Sequence, residues 1–484
     1  ELQVESNVRT NPTDLFTPLE RAVLDRHRPT GCHRSAPPML PSTSPHAAGR
    51  NAIFWTASGL ILTGALALRL THVGALEPFV DEGANILTSL DDGVRHAFDP
   101  VGQARPLLAW MFRPAELLPF ATLTSARVLV ALTGTFTAAL LGLGLLLCAG
   151  RCAALIGMAL WAALPIAVFH ERLALQDPCV AALLATVFAL IAAGSRAEHP
   201  RRRAAAAAAA GLLLGTACLV KISAVLALPW LALAFVAVQR RFGRPVFDRR
   251  LWLVPAFAAA PFLFLGADLA RLGSRLTQLS SLPTVEAQAD HLARFGVMVR
   301  DAVGHAPHFF SWYAGYGGIA LGLLIASAGV ALLATSSLGR WLAVGWVLTA
   351  LGATLIYHLP YSRYLVPDHL PLVLFIAVSL GTLATRAHRI AATAIVTIAL
   401  GAWLRADLRI VRAPGTAPIP ADDIEQYVTG EWSGNGVRRL VAFLNAYGKR
   451  RQQPCLVFTH AYFRPGCYGL MLAARADPSL AVMP

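Results

Sequence analysis

Leu123–Cys148 reads LTSARVLVALTGTFTAALLGLGLLLC: twenty-six residues with a single charge, Arg127, near the start. A helix crosses a bilayer with about 20 apolar residues. Its backbone polar groups satisfy one another inside the segment, so the lipid meets only side chains. Ten further segments of this kind surround it: 52–73, 152–170, 178–195, 204–220, 222–239, 251–270, 313–336, 340–358, 365–384 and 389–406. The two that flank Lys221 are short enough to be tilted or partly re-entrant. The chain is 56% hydrophobic and 14% charged, where a soluble domain carries about 25% charge. The expectation is an all-α polytopic membrane protein with about eleven transmembrane helices. The net charge of +14 is spread between apolar segments. It forms no contiguous basic patch in a soluble domain, which argues against nucleic-acid binding and for topology and anionic lipid.

Residues 1–50 are rich in Pro, Ser, Thr and Arg without apolar periodicity, and read as a disordered cytoplasmic tail. The chain begins with Glu1, which leaves its start open, and no cleavable signal precedes the first apolar run. With the N-terminus in the cytoplasm, the cytoplasmic connections are Arg151, SRAEHPRRR, QRRFGRPVFDRR, the LGR ending at Arg340, and TRAHR. Together they hold 13 Lys or Arg against 2 acidic residues. The opposite connections are longer and mix both signs. That bias fixes orientation. It places Asp81, Glu82, Asp177, Lys221 and Arg363 on the outer side, together with the region after the last span.

The first outer loop, 74–122, holds ANILTSLDDGVRHAF and PLLAWMFRPAELLPF, with apolar residues at helical spacing. These predict amphipathic helices at the membrane surface, roofing a cavity or simply capping the bundle. The outer loop 271–312 can do the same. Residues 411–484 contain an amphipathic helix followed by the strand-like PCLVFTH, predicting a small extracytoplasmic α/β region cut short at Pro484. Cys455 and Cys467 would face an oxidising side, where they either pair or stay free.

Four outer clusters carry candidate chemistry. Asp81-Glu82 in PFVDEGAN is either a proton-accepting or metal-ligating pair or a helix cap. FHERLALQDP offers His170, Glu171, Arg172 and Asp177, with Asp177 before Pro178 also a good helix start. Lys221 in LVKISAV is a lone ammonium at a tight apolar turn, fit to snorkel or to bind a lipid phosphate as a point charge. YHLPYSRYLVP supplies His358, Tyr361, Arg363 and Tyr364, suited to clamping a phosphate or to anchoring at the interface. HAPH, His305 to His308, reads as a surface loop rather than a metal site.

The order of these clusters resembles the GT-C membrane glycosyltransferases of the protein mannosyltransferase and aminoarabinose transferase group, glycosyltransferase families 39 and 83. The shared pattern is a first span, an outer loop opening on Asp-Glu, surface helices and an Arg before the next span (Arg127 in SARVLVALTG). A loop with Arg and Asp follows (HERLALQDP), then a Lys at a later outer turn (Lys221) and an Arg-Tyr-Leu-x-Pro segment (Arg363 to Pro367). It covers about residues 52–406, leaving a domain plan of tail 1–50, transmembrane domain 51–410 and outer region 411–484. IEQYVTGEWSGNGVRRLVAFL is similar to the region after the last span in bacterial members.

The resemblance implies an inverting displacement on a polyprenyl-phosphate sugar at the outer face of the cell (inner) membrane, with a glycolipid, polysaccharide or protein acceptor. Asp81 would act as general base and Glu82 would orient the acceptor or tune Asp81. Arg363, then Lys221 and Arg172, would neutralise the leaving phosphate. Arg105 and Asp177 are further substrate-binding candidates, with His358, Tyr361 and Tyr364 beside Arg363. It implies no redox cofactor and no nucleotide sugar, and leaves a divalent cation open. The large luminal insert of eukaryotic mannosyltransferases is missing, which favours a bacterial type. The rival class is a lipid or oligosaccharide transporter or flippase, but no internal repeat is evident.

Overall fold

The structure, a computed structural model, describes residues 45–90, 107, 111–246, 252–263, 285–334, 337–356, 361–458, 465–477 and 479–483. The chain divides into two units, Glu1–Asn51 and Ala52–Pro484, and apart from the start of the first helix the second holds all the elements below. In chain order the helices are α1 Pro45–Leu70, α2 Val80–Leu90, α3 Thr122–Cys148, α4 Arg151–Ala162, α5 Pro165–His170, α6 Asp177–Arg196, α7 Pro200–Val220 and α8 Leu228–Arg241. They continue with α9 Leu253–Leu263, α10 Val285–Ala334, α11 Ser337–Ile356, α12 Leu365–Gly381, α13 Arg386–Arg412, α14 Ala421–Ile424, α15 Val437–Arg451 and α16 Pro465–Ala476. Two short strands, β1 Cys455–Phe458 and β2 Leu480–Met483, pair in parallel with Cys455 opposite Leu480.

This is an all-α polytopic membrane fold. Seven helices among the described residues are long and apolar enough to cross a bilayer: Gly49–Leu70, Thr122–Cys148, Asp177–Arg196, Pro200–Val220, Ile222–Arg241, Ala306–Leu333 and Ser362–Gly381. Several of the eleven expected segments run into residues outside the described set. The expected span 152–170 is broken, because α4 stops at Ala162 and α5 restarts at Pro165. Proline has no N–H for the helix ladder, and it pushes the preceding residue, Leu164, into extended backbone. The expected span 251–270 appears as the eleven-residue α9, with residues beyond 263 outside the described set. The 340–358 and 389–406 segments form α11 and α13. The 271–312 connection is helical from Val285 onward, as its reading allowed, and the helix includes His305–His308, which the sequence suggests as a loop. This helix breaks at Gly318, whose φ of 56° and ψ of −161° suit glycine alone.

α12 is the spine, buried along nearly its whole length from Leu365 to Leu380. Small residues let the helices close around it. A Cβ on Gly215 of α7 would collide with the backbone of Ala258 in α9. A Cβ on Gly134 of α3 would occupy the space of the Glu171 carboxylate.

That carboxylate is one half of a wholly buried ion pair. Arg69, in the last turn of α1, donates through Nε to Glu171 at 2.5 Å and through its other nitrogens to the carbonyls of Ala65, Trp161 and Ala162. Trp161 Nε1 donates to the second Glu171 oxygen at 3.1 Å. The pair staples α1 to the α4–α5 break, where helix ends leave carbonyls without intrahelical partners.

Residues 411–484 belong to the same compact unit as the bundle. Arg438 of α15 bonds the carbonyls of Gly74, Ala75 and Leu76 and pairs with Glu77. Leu472 of α16 packs with Ile86 and Leu87 of α2. Cys455 is a free thiol donating to the Leu444 carbonyl; the side chain of Cys467 lies outside the described set.

Replacing Arg69 by Met should destabilise the fold by about 3–5 kcal/mol, because Glu171 would remain buried without its partner. Equilibrium unfolding of the detergent-solubilised protein measures this. Adding Glu171→Gln should recover part of the loss, and an unaltered Arg69→Met variant would contradict the staple.

Candidate active site

Asp81 and Glu82 are neighbours in sequence but not in space. Successive helical residues are 100° apart and do not share a face, so α2 turns one carboxylate outward and the other inward. Glu82 is 0% exposed. Its oxygens accept from Arg127 Nε at 2.7 Å and Nη2 at 2.6 Å, from Ala174 N–H at 2.6 Å and from Phe79 N–H at 3.1 Å. The last bond is the reach-back of a third-position Glu to the residue before its helix, one half of a capping box. Capping thus falls to Glu82 rather than Asp81. Arg127 is saturated in turn by the carbonyls of Val73, Leu76 and Glu77. This sealed knot ties α2 to α3 and leaves Glu82 no access to an acceptor.

Asp81 keeps 38% of its side chain exposed and meets Arg363 at 2.6 Å. Arg363, 9% exposed, comes from the single-turn 3₁₀ helix Ser362–Tyr364 that opens α12. Its guanidinium lies over the rings of Tyr361 (4.7 Å), Tyr364 (5.3 Å) and Phe79 (5.6 Å). Its Nη1 is buried and meets no hydrogen-bond partner among the described residues. On Tyr364 sits a second cation, Lys221 Nζ, 3.7 Å from the ring centroid. Lys221 ends α7 and pairs with Asp177 at 2.5 Å. Asp177 opens α6 without a capping bond; its carboxylate is committed to Lys221. Four separate segments therefore contribute to one chain of contacts: Asp81, Arg363, Tyr364, Lys221, Asp177.

The other candidates go elsewhere. Arg172 is 3% exposed and donates through Nη1 and Nη2 to the carbonyls of Thr71, His72 and Ile410, clasping the ends of α1 and α13. That is a structural use, and Arg172 does not join the cation pair. Arg105 and His358 lie outside the described residues. His308 pairs with Asp422 at 3.0 Å on the surface. No group of three or more His, Cys, Asp or Glu among the described residues stands close enough to hold a metal ion.

Beneath Arg363 lies a layer of which the sequence singles out only His170. His170 Nε2 bonds Ser362 Oγ at 2.9 Å. Tyr316, from the middle of α10, donates to Asp423 at 2.5 Å. Tyr427 packs its ring on Phe79 (4.6 Å), His170 (5.4 Å) and Phe169 (5.5 Å), with its hydroxyl buried and unpartnered among the described residues. Asp423 and Tyr427 follow the last bundle helix, in the IEQYVTGEW stretch and the residues just before it. Burial pushes the Asp423 carboxyl up to about 6; the Ser362 and Tyr316 bonds and nearby Arg363 pull downward, and Asp422 pushes upward.

With this geometry in place, the comparisons with known proteins bear on part of it. The family described as Dolichyl-phosphate-mannose-protein mannosyltransferase matches residues 100–265. The mannosyltransferase-like stretch contains Arg127, Arg172, Asp177 and Lys221, whereas Asp81 and Arg363 lie to either side of it. No curated protein matches the chain. Two crystal structures of ArnT from Cupriavidus metallidurans are similar to it. The apo state is 15% identical with a TM-score of 0.49, covering 90% of this chain and 89% of that one. The form bound to undecaprenyl phosphate is 14% identical with a TM-score of 0.45, covering 90% of both.

Asp423 gives a pH signature. Its folded-state value lies above the ordinary 3.8, so the neutral form favours folding. Its contribution is complete below about pH 4 and is lost as pH rises through about 6. The thermal midpoint of wild type minus that of Asp423→Asn should fall across this window. A flat difference profile from pH 4 to 7.5 would contradict the assignment.

Proposed function

We propose that this protein is an integral-membrane glycosyltransferase that moves a sugar from a polyprenyl-phosphate donor to an acceptor hydroxyl. The observation that carries the reading is the contact between a solvent-reaching carboxylate and a buried arginine: Asp81 to Arg363 at 2.6 Å, with Arg363 Nη1 unpartnered among the described residues. A base and an anion clamp joined in this way suit a displacement in which a proton is removed from one reactant while negative charge develops on the other. The similarity of residues 100–265 to dolichyl-phosphate-mannose-protein mannosyltransferases supports the same class.

In this reading the acceptor O–H donates to Asp81 and its oxygen attacks the anomeric carbon. The bond from that carbon to the phosphate oxygen breaks, and the electron pair leaves on the lipid phosphate. Arg363 takes the phosphate through Nη1 while Nη2 holds Asp81, and Lys221 adds a point charge from the far side of Tyr364. One displacement inverts the anomeric centre. Asp177 holds Lys221, and Glu82 acts at one remove: locked to Arg127, it fixes the first turn of α2 and therefore Asp81. Tyr361 and Tyr364 present ring faces that hold the two cations in place.

The reaction belongs to the outer face. The basic connections at Arg151, Arg196–Arg203, Arg240–Arg244, Arg340 and Arg386–Arg389 join helix ends opposite to those bearing Asp81, Asp177, Lys221 and Arg363, and the positive-inside bias assigns that basic end to the cytoplasm. The proposed setting is the bacterial inner membrane, with a glycolipid, polysaccharide or protein as acceptor.

The test is transfer from a labelled polyprenyl-phosphate sugar by the reconstituted protein. Asp81→Asn should lower turnover about 100- to 10,000-fold, the range for losing a general base, with an unchanged unfolding profile. Undiminished transfer, or labelled lipid that crosses the bilayer without transfer, would sink this reading.

A further inference from the structure

An apolar groove of about 500 Å³ opens on the outside of the bundle between α1, the end of α4 and α13. Gly64 and Ala67 of α1 and Ala162 of α4 make its floor, and Leu404 and Leu408 of α13 form one wall. Gly64 has no heavy atom within 4 Å of where its Cβ would stand, and Leu60, Leu404 and Leu408 are 70%, 44% and 39% exposed. The bundle has left a gap here rather than closing it with side chains.

The gap has a charged rim. Arg412 lines the end of the groove nearest the candidate active site. Arg405, Arg409 and Arg412 are spaced i, i+4, i+7, so they share one face of α13, next to the face carrying Leu404 and Leu408. All three are exposed, and none has an acidic partner among the described residues. Arginines stacked over the last two turns of a bilayer helix stand at headgroup depth, where phosphate is the available counter-charge. The apolar trough runs along α13 from Leu400 to Arg412, beside this ladder and ending at its outermost arginine, so one site offers an apolar wall and a cation for a lipid's two chemistries.

We propose that this groove is a binding site for a resident anionic glycerophospholipid, with an acyl chain between α1 and α13 and its phosphate on Arg412 and Arg409. The occupant is a membrane phospholipid rather than the sugar donor. The groove is sized for an acyl chain rather than a long polyprenyl tail, and none of Asp81, Asp177, Lys221, Arg363 and Tyr364 lines it. Bound there, the lipid fills the gap between the first and last helices of the bundle, alongside the clasp that ties their ends. The site does not depend on the reaction assigned to Asp81.

The experiment is native mass spectrometry of the full-length protein in mild detergent, titrated separately with phosphatidylglycerol and phosphatidylcholine of equal chain length. Wild type should retain one phosphatidylglycerol at concentrations where phosphatidylcholine is lost. Arg412→Gln and Arg409→Gln should each weaken that retention about fivefold, the effect of one cation at a lipid surface. Gly64→Phe should fill the trough and abolish retention of the acyl chain; Gly64 lies in open space, so the bundle tolerates it. Equal retention of both lipids, retention unchanged in the variants, or displacement of phosphatidylglycerol by undecaprenyl phosphate would each overturn the proposal.

Discussion

A charge taken out of water must be met by an opposite charge or by several dipoles, or the fold cannot hold it. The architecture of this bundle end follows from that constraint. Arg69 and Glu171 meet at 0% exposure, as do Arg127 and Glu82, and both arginines collect the spare carbonyls of helix ends. Arg172 has no carboxylate within bonding distance and takes three carbonyls instead. The two ion pairs are sealed, and with the Arg172 clasp they fix where α1, α2, α3 and α5 stand. Moving toward the surface, Lys221 with Asp177 is 11% and 5% exposed, and Arg363 with Asp81 is 9% and 38%. The same pairing rule that builds the scaffold inside leaves, at its edge, one pair with an open carboxylate and an unspent donor. That gradient separates the charges that hold the protein together from the ones positioned to act.

Much of this edge was legible in the sequence. Asp81, Asp177, Lys221 and Arg363 are charges at the ends of apolar segments, and the Lys/Arg bias put all of them at one end of the bundle; in the structure they form one contact chain through Tyr364. Glu82 was not legible. The pattern DE announces two carboxylates, but the 100° step between them sends one into the core, and the partner that claims it, Arg127, is 45 residues away. Arg172 was misread for a related reason: backbone carbonyls at helix ends have no sequence signature, so an arginine consumed by them looks the same as one reserved for a ligand. Tyr316, Asp423 and Tyr427 were missed because a mid-helix Tyr and a loop Asp carry no signal until α10 and the segment after α13 bring them beneath Arg363. The expected span 152–170 is broken by one proline; composition sees the run, not the break at Leu164.

The tail of the chain shows a second consequence of the same constraint. Residues after α13 turn back over α2, with Arg438 taking up the carbonyls that follow α1 and α16 packing against α2. Asp423 and Tyr427 thereby become part of the wall around Arg363. Residues after α13 thus join the bundle in lining the candidate site. Arg405, Arg409 and Arg412 of α13 have no carboxylate partner among the described residues, and they are the cations of the proposed lipid site.

The central claim is that Asp81 and Arg363 act as one unit. A double-mutant cycle on kcat/KM for sugar transfer, with Asp81→Asn, Arg363→Gln and the pair together, tests it directly. A functional unit predicts that Arg363→Gln costs far less in the Asp81→Asn background than in wild type. Two independent losses that simply multiply would contradict it.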